Sequence, residues 1–242
     1  VLSFFKRKNV PQNPPLITDL HSHLLPGLDD GVSSFEQAEE IILYFQRLGY
    51  TKLITTPHVM SDAYRNTTEG ILSKLTELKA HLSARGISMS MEAAAEYYLD
   101  EQCMANLEKN VPFLTSGNKY LLFETNFLTE PFNLKDFIFH AITKGYKPVL
   151  AHPERYVYLH RNLQKAEELI DRGVLFQINL SSLTGYYSKD AQSTAQKLID
   201  QGWVHMLGSD CHQLQHAVLV AQARSLKYYQ KALSLPLLNN TL

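Results

Sequence analysis

One pattern repeats through most of this chain and limits the folds open to it: an amphipathic helix, a glycine, then a short apolar strand. After Asp29-Asp30-Gly31, the residues Phe35, Ala38, Ile41, Ile42, Phe45 and Leu48 recur at helical spacing. Ser33 and Glu36 stand at capping-box spacing before them. Gly49 stops the helix, and Leu53-Ile54-Thr55-Thr56 follows as a strand. The same order returns as helix 67–85, Gly86 and strand 87–95, then as helix 134–144, Gly145 and strand Pro148-Val149-Leu150. It returns again as helix 163–172, Gly173 and strand 174–178, and as helix 191–201, Gly202 and strand 204–207. A short helix near 100–108, the strand 120–123, a last helix over 217–233 and a first strand running from Leu16 into His21 complete the series. Seven strands alternating with helices imply parallel βαβ units, hence an α/β fold, and suggest a closed or nearly closed (β/α)7 barrel. An open doubly wound sheet is the alternative, and the lack of Gly-x-Gly-x-x-Gly after the first strand counts against a dinucleotide-binding version. No linker divides the chain, so residues 16–242 are expected to form a single domain behind a tail of residues 1–15.

The strand ends carry the chemistry. In an extended backbone, His21 and His23 point the same way, where one cation could bind both. The later strands run into His58, Glu96, Glu124, His152-Pro153-Glu154-Arg155 and Ser209-Asp210-Cys211-His212. The sixth strand, with Asn179 and Ser181, is the exception. In a parallel barrel all C-terminal strand ends meet at one mouth, so these distant residues converge. With Asp30 from the first loop, the candidates are His21, His23, Asp30, His58, Glu96, Glu124, His152, Asp210 and His212. Imidazole and carboxylate donors suit Zn, Mn or Fe. Nine donors exceed one tetrahedral site, which fits two or three ions sharing a carboxylate better. Each residue also has a plain structural reading: Glu124 as an arginine's partner, His58 as a loop histidine, Asp30 as part of a common Asp-Asp-Gly turn. Ligand types at six of seven strand ends together are hard to explain as packing. Of the other histidines, His140 and His160 are the best placed to line the mouth.

Composition excludes several classes. With 23 basic and 24 acidic residues and a net charge of −1, the chain has no basic stripe for nucleic acid. No apolar run reaches the length of a membrane span, and no secretory signal pattern is present. The two cysteines, Cys103 and Cys211, are too few for a disulfide framework, so a reducing cytoplasm is expected. A cysteine phosphatase needs an arginine six residues after its nucleophile, and here Lys109 and Ala217 stand there. The run Lys6-Arg7-Lys8 behind Phe4-Phe5 reads as a frayed tail, or as a weak membrane-surface or partner contact.

His21-Ser22-His23, Thr56-Pro57-His58, Glu96, Glu124, His152-Pro153-Glu154-Arg155-Tyr156 and Gly208-Ser209-Asp210-Cys211-His212 resemble the PHP (polymerase and histidinol phosphatase) superfamily. The branch is similar to the metal-dependent protein-tyrosine phosphatases of bacterial capsule and exopolysaccharide loci. The likeness runs from about Thr18 to His212, and the Asp29-Asp30-Gly31 and Glu154-Arg155-Tyr156 elements are specific to that branch. The resemblance implies a distorted seven-stranded barrel, a PHP phosphatase domain with a trinuclear manganese site. It implies that His21, His23 and Asp210 hold one ion, that Glu96 bridges to a second held by Glu124 and His152, and that Asp30, His58 and His212 hold the third. Arg155 matches an arginine that grips the substrate phosphate. One departure stands out: family members often carry a second arginine shortly after Asp-x-His, whereas this chain reads His212-Gln213-Leu214-Gln215-His216-Ala217 and has no arginine until Arg224. His216 is the candidate substitute.

The implied reaction is hydrolysis of phosphotyrosine on a protein, with a bacterial tyrosine autokinase as the expected partner. A hydroxide bridging two metals would attack directly, while the third ion and Arg155 neutralise the phosphoryl oxygens. Tyr97, Tyr98, Tyr156, Tyr158, Tyr186 and Tyr187 fall near strand ends, either lining an aromatic mouth or packing the rim. Arg155 has its own structural alternative, a salt bridge with Glu154. Two other functions remain open at this point: a small-molecule phosphatase of the histidinol phosphate kind, and an inactive metal-loaded binding module.

Overall fold

The computed structural model describes residues 15–160 and 162–242, so the Phe4-Phe5 and Lys6-Arg7-Lys8 stretch lies outside the described residues. The chain alternates strands and helices throughout. Its strands are β1 (Thr18–Asp19), β2 (Lys52–Thr55), β3 (His58–Val59), β4 (Ser90–Ala93), β5 (Glu96–Tyr98), β6 (Tyr120–Glu124), β7 (Lys147–Ala151), β8 (Leu175–Asn179) and β9 (Met206–Gly208). Its helices are α1 (Phe35–Arg47), α2 (Thr68–Ala84), α3 (Glu101–Glu108), α4 (Leu134–Thr143), α5 (Leu163–Asp171), α6 (Lys189–Gln201), α7 (Leu214–Ala223) and α8 (Lys227–Ala232). Two 3-10 turns, Pro153–Arg155 and Leu180–Thr184, follow β7 and β8.

Every strand pairing between these elements is parallel, as the βα rhythm requires. The strands form two sheets, ordered β1-β2-β4 and β3-β5-β6-β7-β8-β9. Where seven strands are expected from the sequence, nine short ones form among the described residues, because a second short strand follows each of two expected ones. Thr56-Pro57 separates β2 from β3, and Ala94-Ala95 separates β4 from β5. Pro57 has no N–H to give a neighbouring strand. β2 pairs with β1 on one side and β4 on the other, while β3 pairs with β5, which in turn pairs with β6. A parallel bridge between Ser22 and Cys211 brings the end of the first strand back to the last. Beside it, Ser209 donates its N–H and hydroxyl to Asp19 at 2.8 and 2.7 Å.

Strand alternation sorts the apolar side chains into two layers. Leu121, Phe123, Leu150 and Leu207 face a large core shared with the helices. Leu20, Ile54, Ala94, Leu122, Val149, Ala151 and Met206 face a second cluster on the other side of the strands. The helices present matching stripes: Ala38, Ile41, Ile42 and Phe45 of α1 are all buried. Each such large side chain contributes about 1.5–3 kcal/mol on leaving water.

Three local expectations shift. The cap of α1 is Ser34, which accepts from the Gln37 N–H, one residue later than the Ser33–Glu36 pairing. Ser33 instead donates its hydroxyl to the Gln37 side chain. The last helix is two, broken at Arg224–Leu226, where the Ser225 hydroxyl bonds the Gln222 carbonyl and Arg224 reaches the Leu48 carbonyl. The first strand is short as a paired element, but the chain beyond it stays extended enough to bring His21 and His23 together.

Candidate metal centre at the strand ends

All nine ligand-type residues meet where the strands end. His21 Nε2 lies 3.2 Å from His23 Nε2 and 3.0 Å from Glu96 Oε2. His23 Nε2 lies 3.4 Å from both Glu96 Oε2 and Asp210 Oδ1. On the far side of Glu96, His152 Nε2 is 3.0 Å from Oε1 and 3.9 Å from Glu124 Oε2. His58 Nδ1 sits 3.3 Å from Glu96 Oε2 and 3.1 Å from Glu124 Oε1, yet it makes no hydrogen bond to either. At the outer edge, Asp30 Oδ1 is 3.6 Å from His58 Nε2 and 3.4 Å from His212 Nε2.

These spacings suit cations. Ligand atoms about 2.0–2.2 Å from one ion lie about 3.0–3.5 Å from one another. Three groupings among the described residues bring their ligand atoms within 4.8 Å of one another: His23 with Asp30, His58 and His212; His21 with His23 and Glu96; and His58 with Glu96 and Glu124. The electrostatics agree. Burial opposes a charge on His21, yet Glu96 and Asp210 lift its imidazole to about 9. Burial likewise opposes charge on Glu96 and Asp210, yet the surrounding imidazoles hold both well below the usual carboxylate range. Asp30, held down to about 2 first by His212, completes a set of carboxylates that calls for positive charge in its midst. The donor set therefore fits divalent cations.

Local structure aims these side chains. His152 (φ 35°) and Asp210 (φ 50°) both adopt the left-handed backbone region without being glycine. Such residues cost about 1–3 kcal/mol and persist where the surroundings over-determine them. Gly208 is required because a Cβ there would stand 2.7 Å from His21 Cβ and 2.6 Å from Gln177 Nε2. Two of the imidazoles are held from behind by side chains: His21 Nδ1 by Gln177 Oε1 and His23 Nδ1 by Asp29 Oδ2, each at 2.7 Å. Such partners fix which ring nitrogen faces inward.

Over this cluster lies a cleft of about 930 Å³, with Arg155, Phe127, Tyr98, Tyr186, Tyr187 and His216 among its lining residues. Arg155 does not pair with Glu154. Its Nη1 donates to Asp210 Oδ2 at 3.0 Å, while Glu154 turns inward to accept from the Asn179 N–H and the Ser182 hydroxyl.

The family model for capsular polysaccharide synthesis proteins, CpsB/CapC, matches residues 17–230. The chain belongs to the CpsB/CapC family. Among curated relatives of this CpsB/CapC protein, CapC of Staphylococcus aureus is 29% identical over 230 residues, 93% of this chain and 90% of that protein. The tyrosine-protein phosphatase YwqE of Bacillus subtilis is 27% identical over 197 residues, 81% of this chain and 78% of that one. A chain from the crystal structures of YwqE and of CpsB from Streptococcus pneumoniae, described as metal-dependent tyrosine phosphatases, superposes with a TM-score of 0.75. It is 27% identical, and the match covers 87% of this chain and 89% of that one. A histidinol phosphate phosphatase of Lactococcus lactis shares the fold alone, with a TM-score of 0.51 at 10% identity over 86% of this chain and 94% of that one.

Several expectations about the cleft of this CpsB/CapC chain change. Neither His140 nor His160 is among its lining residues; His160 Nε2 instead bonds the Glu154 carbonyl. Tyr97 and Tyr156 are buried in the core, and the Tyr156 hydroxyl accepts from the Thr125 N–H. Tyr158 pairs with the Thr125 hydroxyl at 2.7 Å, which leaves Tyr98, Tyr186 and Tyr187 facing the cleft. His216 does line it, but burial lowers its pKa, so it offers a hydrogen bond rather than an arginine's charge. Sequence reasoning passed over Phe127 and Gln177 and gave Asp29 and Asn179 no role in the site. Two polar residues two apart on an otherwise apolar strand were the available signal for Gln177 and Asn179.

Proposed function

We propose that this chain is a metal-dependent protein-tyrosine phosphatase acting on phosphotyrosine proteins, in particular a bacterial tyrosine autokinase of capsular or exopolysaccharide synthesis. The observation that carries this reading is the convergence of five imidazoles and four carboxylates beneath a cleft walled by Arg155 and aromatic rings. The family and the named activity of the relatives support it. We read residues 16–242 as one catalytic domain, a distorted barrel of seven strand positions, working in the cytoplasm. In keeping with that, Cys103 and Cys211 are buried free thiols, and no described helix is long and apolar enough to cross a membrane.

His21, His23, Asp30, His58, Glu96, Glu124, His152, Asp210 and His212 would hold two or three manganese ions; iron or zinc fits the same donors. When bound, such ions lower the pKa of a water towards neutrality and stabilise charge on phosphoryl oxygens. The chain's own contribution is placement. Glu96, with one oxygen facing His21 and the other facing His152, is the residue positioned to join neighbouring ions. Arg155 presents a planar donor fork to the phosphate. Phe127, Tyr98 and Tyr186 line the cleft above the donors, where an aromatic ring would enter.

The test compares kcat/KM of the manganese-loaded protein on phosphotyrosine peptides, histidinol phosphate and sugar phosphates. Phosphotyrosine peptides should lead. Equal or better turnover of histidinol phosphate would overturn the substrate, and no turnover of any ester would overturn the enzyme in favour of a binding module.

A further inference from the structure

Asp210 uses its two carboxylate oxygens for two different tasks. Oδ1 faces the imidazoles of His21, His23 and His212 at 3.4–3.5 Å. Oδ2 faces the cleft wall and accepts three hydrogen bonds: from Asn179 Nδ2 at 2.6 Å, Arg155 Nη1 at 3.0 Å and the Tyr187 hydroxyl at 3.1 Å. Tyr187 also lays its ring against the Arg155 guanidinium, 4.1 Å from ring centre to Cζ, and Phe127 lies against the same group at 4.6 Å. One residue thus holds the guanidinium by its face and the oxygen that anchors that guanidinium by its hydroxyl.

We propose that Tyr187 is a positioning residue for Arg155, fixing the guanidinium in the cleft wall before a phosphate arrives. This rests on the phosphate-binding role given to Arg155 above. An arginine side chain is rotamer-rich, and restraining it in the free protein removes the cost of ordering it from binding. Among the described residues, the guanidinium makes one hydrogen bond, to Asp210, so most of its five donors remain for phosphoryl oxygens.

The local structure makes Tyr187 rigid enough for the task. Gly185 (φ 84°) ends the Leu180–Thr184 turn in the left-handed region, which turns the chain back over the cleft. Directly after Tyr187, the Ser188 hydroxyl caps α6 by accepting from the Ala191 N–H at 3.0 Å. Beneath it, Asn179 donates to the Tyr187 hydroxyl at 3.4 Å and to Asp210 at 2.6 Å. Gln177 Nε2 donates to Asn179 Oδ1, which leaves the Asn179 amide N–H groups for these two acceptors. The end of β8, which carries none of the nine ligand-type residues, therefore holds Asn179, the group that touches both Tyr187 and Asp210.

The experiment is a double-mutant cycle on the manganese-loaded full chain, titrated with inorganic phosphate and assayed on p-nitrophenyl phosphate, with metal content measured on every variant. Tyr187→Leu should weaken phosphate binding by about 3- to 30-fold, raise KM in proportion, change kcat less and leave metal content at the wild-type value. Tyr187→Phe keeps the ring and should recover most of the loss. In an Arg155→Ala background, Tyr187→Leu should add nothing. An undiminished effect in that background, no effect in the wild type, or a parallel loss of metal would each overturn the positioning role. Arg155→Ala binding phosphate as tightly as wild type would instead overturn the phosphate-binding role of Arg155, a separable failure.

Discussion

The floor and the wall of the cleft are built differently. The floor is made from strand ends: His21, His23 and Glu96 are fully buried, and each imidazole is held from behind by a polar side chain. The wall is made from loops and turns: Phe127 is 37% exposed and Tyr186 45%. Strand register places most of the floor's donors, with Asp30 added from the first loop. The wall depends on a 3-10 turn, a left-handed glycine and a helix cap, elements that can vary without disturbing the sheets. In the proposed function, metal binding belongs to the first and substrate choice to the second, and Asp210 touches both.

Removing Glu96 should break the floor outright. Its two oxygens face His21 and His152. Glu96→Ala should lose bound metal and reduce kcat/KM by more than the ~10²–10³ that a single charged or hydrogen-bonding group commands. The rise in Tm that manganese gives the wild type should disappear with it, since a ligand stabilises only the fold that binds it. Full activity in this variant would remove Glu96 from the centre. The wall is tested by Arg155→Ala, which should reduce kcat/KM by about 10²–10³ while metal content stays at the wild-type value. If metal leaves with the arginine, floor and wall are one unit and the distinction between them fails.

The floor was the more legible half. Apolar runs ending in His58, Glu96, Glu124 and His152 state both the strand and the donor in one short stretch, and parallel topology brings the ends together. The breaks at Thr56-Pro57 and Ala94-Ala95 were harder to see, because they depend on which neighbour each half-strand finds. The wall resists reading for a different reason. Phe127 sits in a loop with no periodicity, and Tyr186 and Tyr187 look the same in sequence although only Tyr187 reaches Asp210. His140 lies on α4 and His160 bonds the Glu154 carbonyl, and neither lines the cleft. Asp29 was read as part of a turn and of a branch-specific element but given no role, although its carboxylate holds the His23 ring, six positions earlier.

Asp29 also offers the gentlest test of the floor, because it touches the site only through others. Its Oδ2 accepts from His23 Nδ1 at 2.7 Å and from the His58 N–H at 3.0 Å, and its Oδ1 accepts from the Gly31 N–H at 3.0 Å. Burial works against its charge, yet the His23 hydrogen bond keeps its carboxyl below the usual range. Asparagine has the same shape but a single acceptor oxygen. In Asp29→Asn an amide N–H group must therefore face either the Gly31 N–H or the donors from His23 and His58. The loop that carries Asp30 would shift, or His23 would lose the partner that orients it. Metal affinity should fall by about 10- to 100-fold, as measured by manganese titration, with kcat at saturating metal close to wild type. Unchanged affinity would mean that sheet register alone orients His23. Lost kcat at full metal occupancy would mean that Asp29 acts on the reaction itself and belongs with the wall.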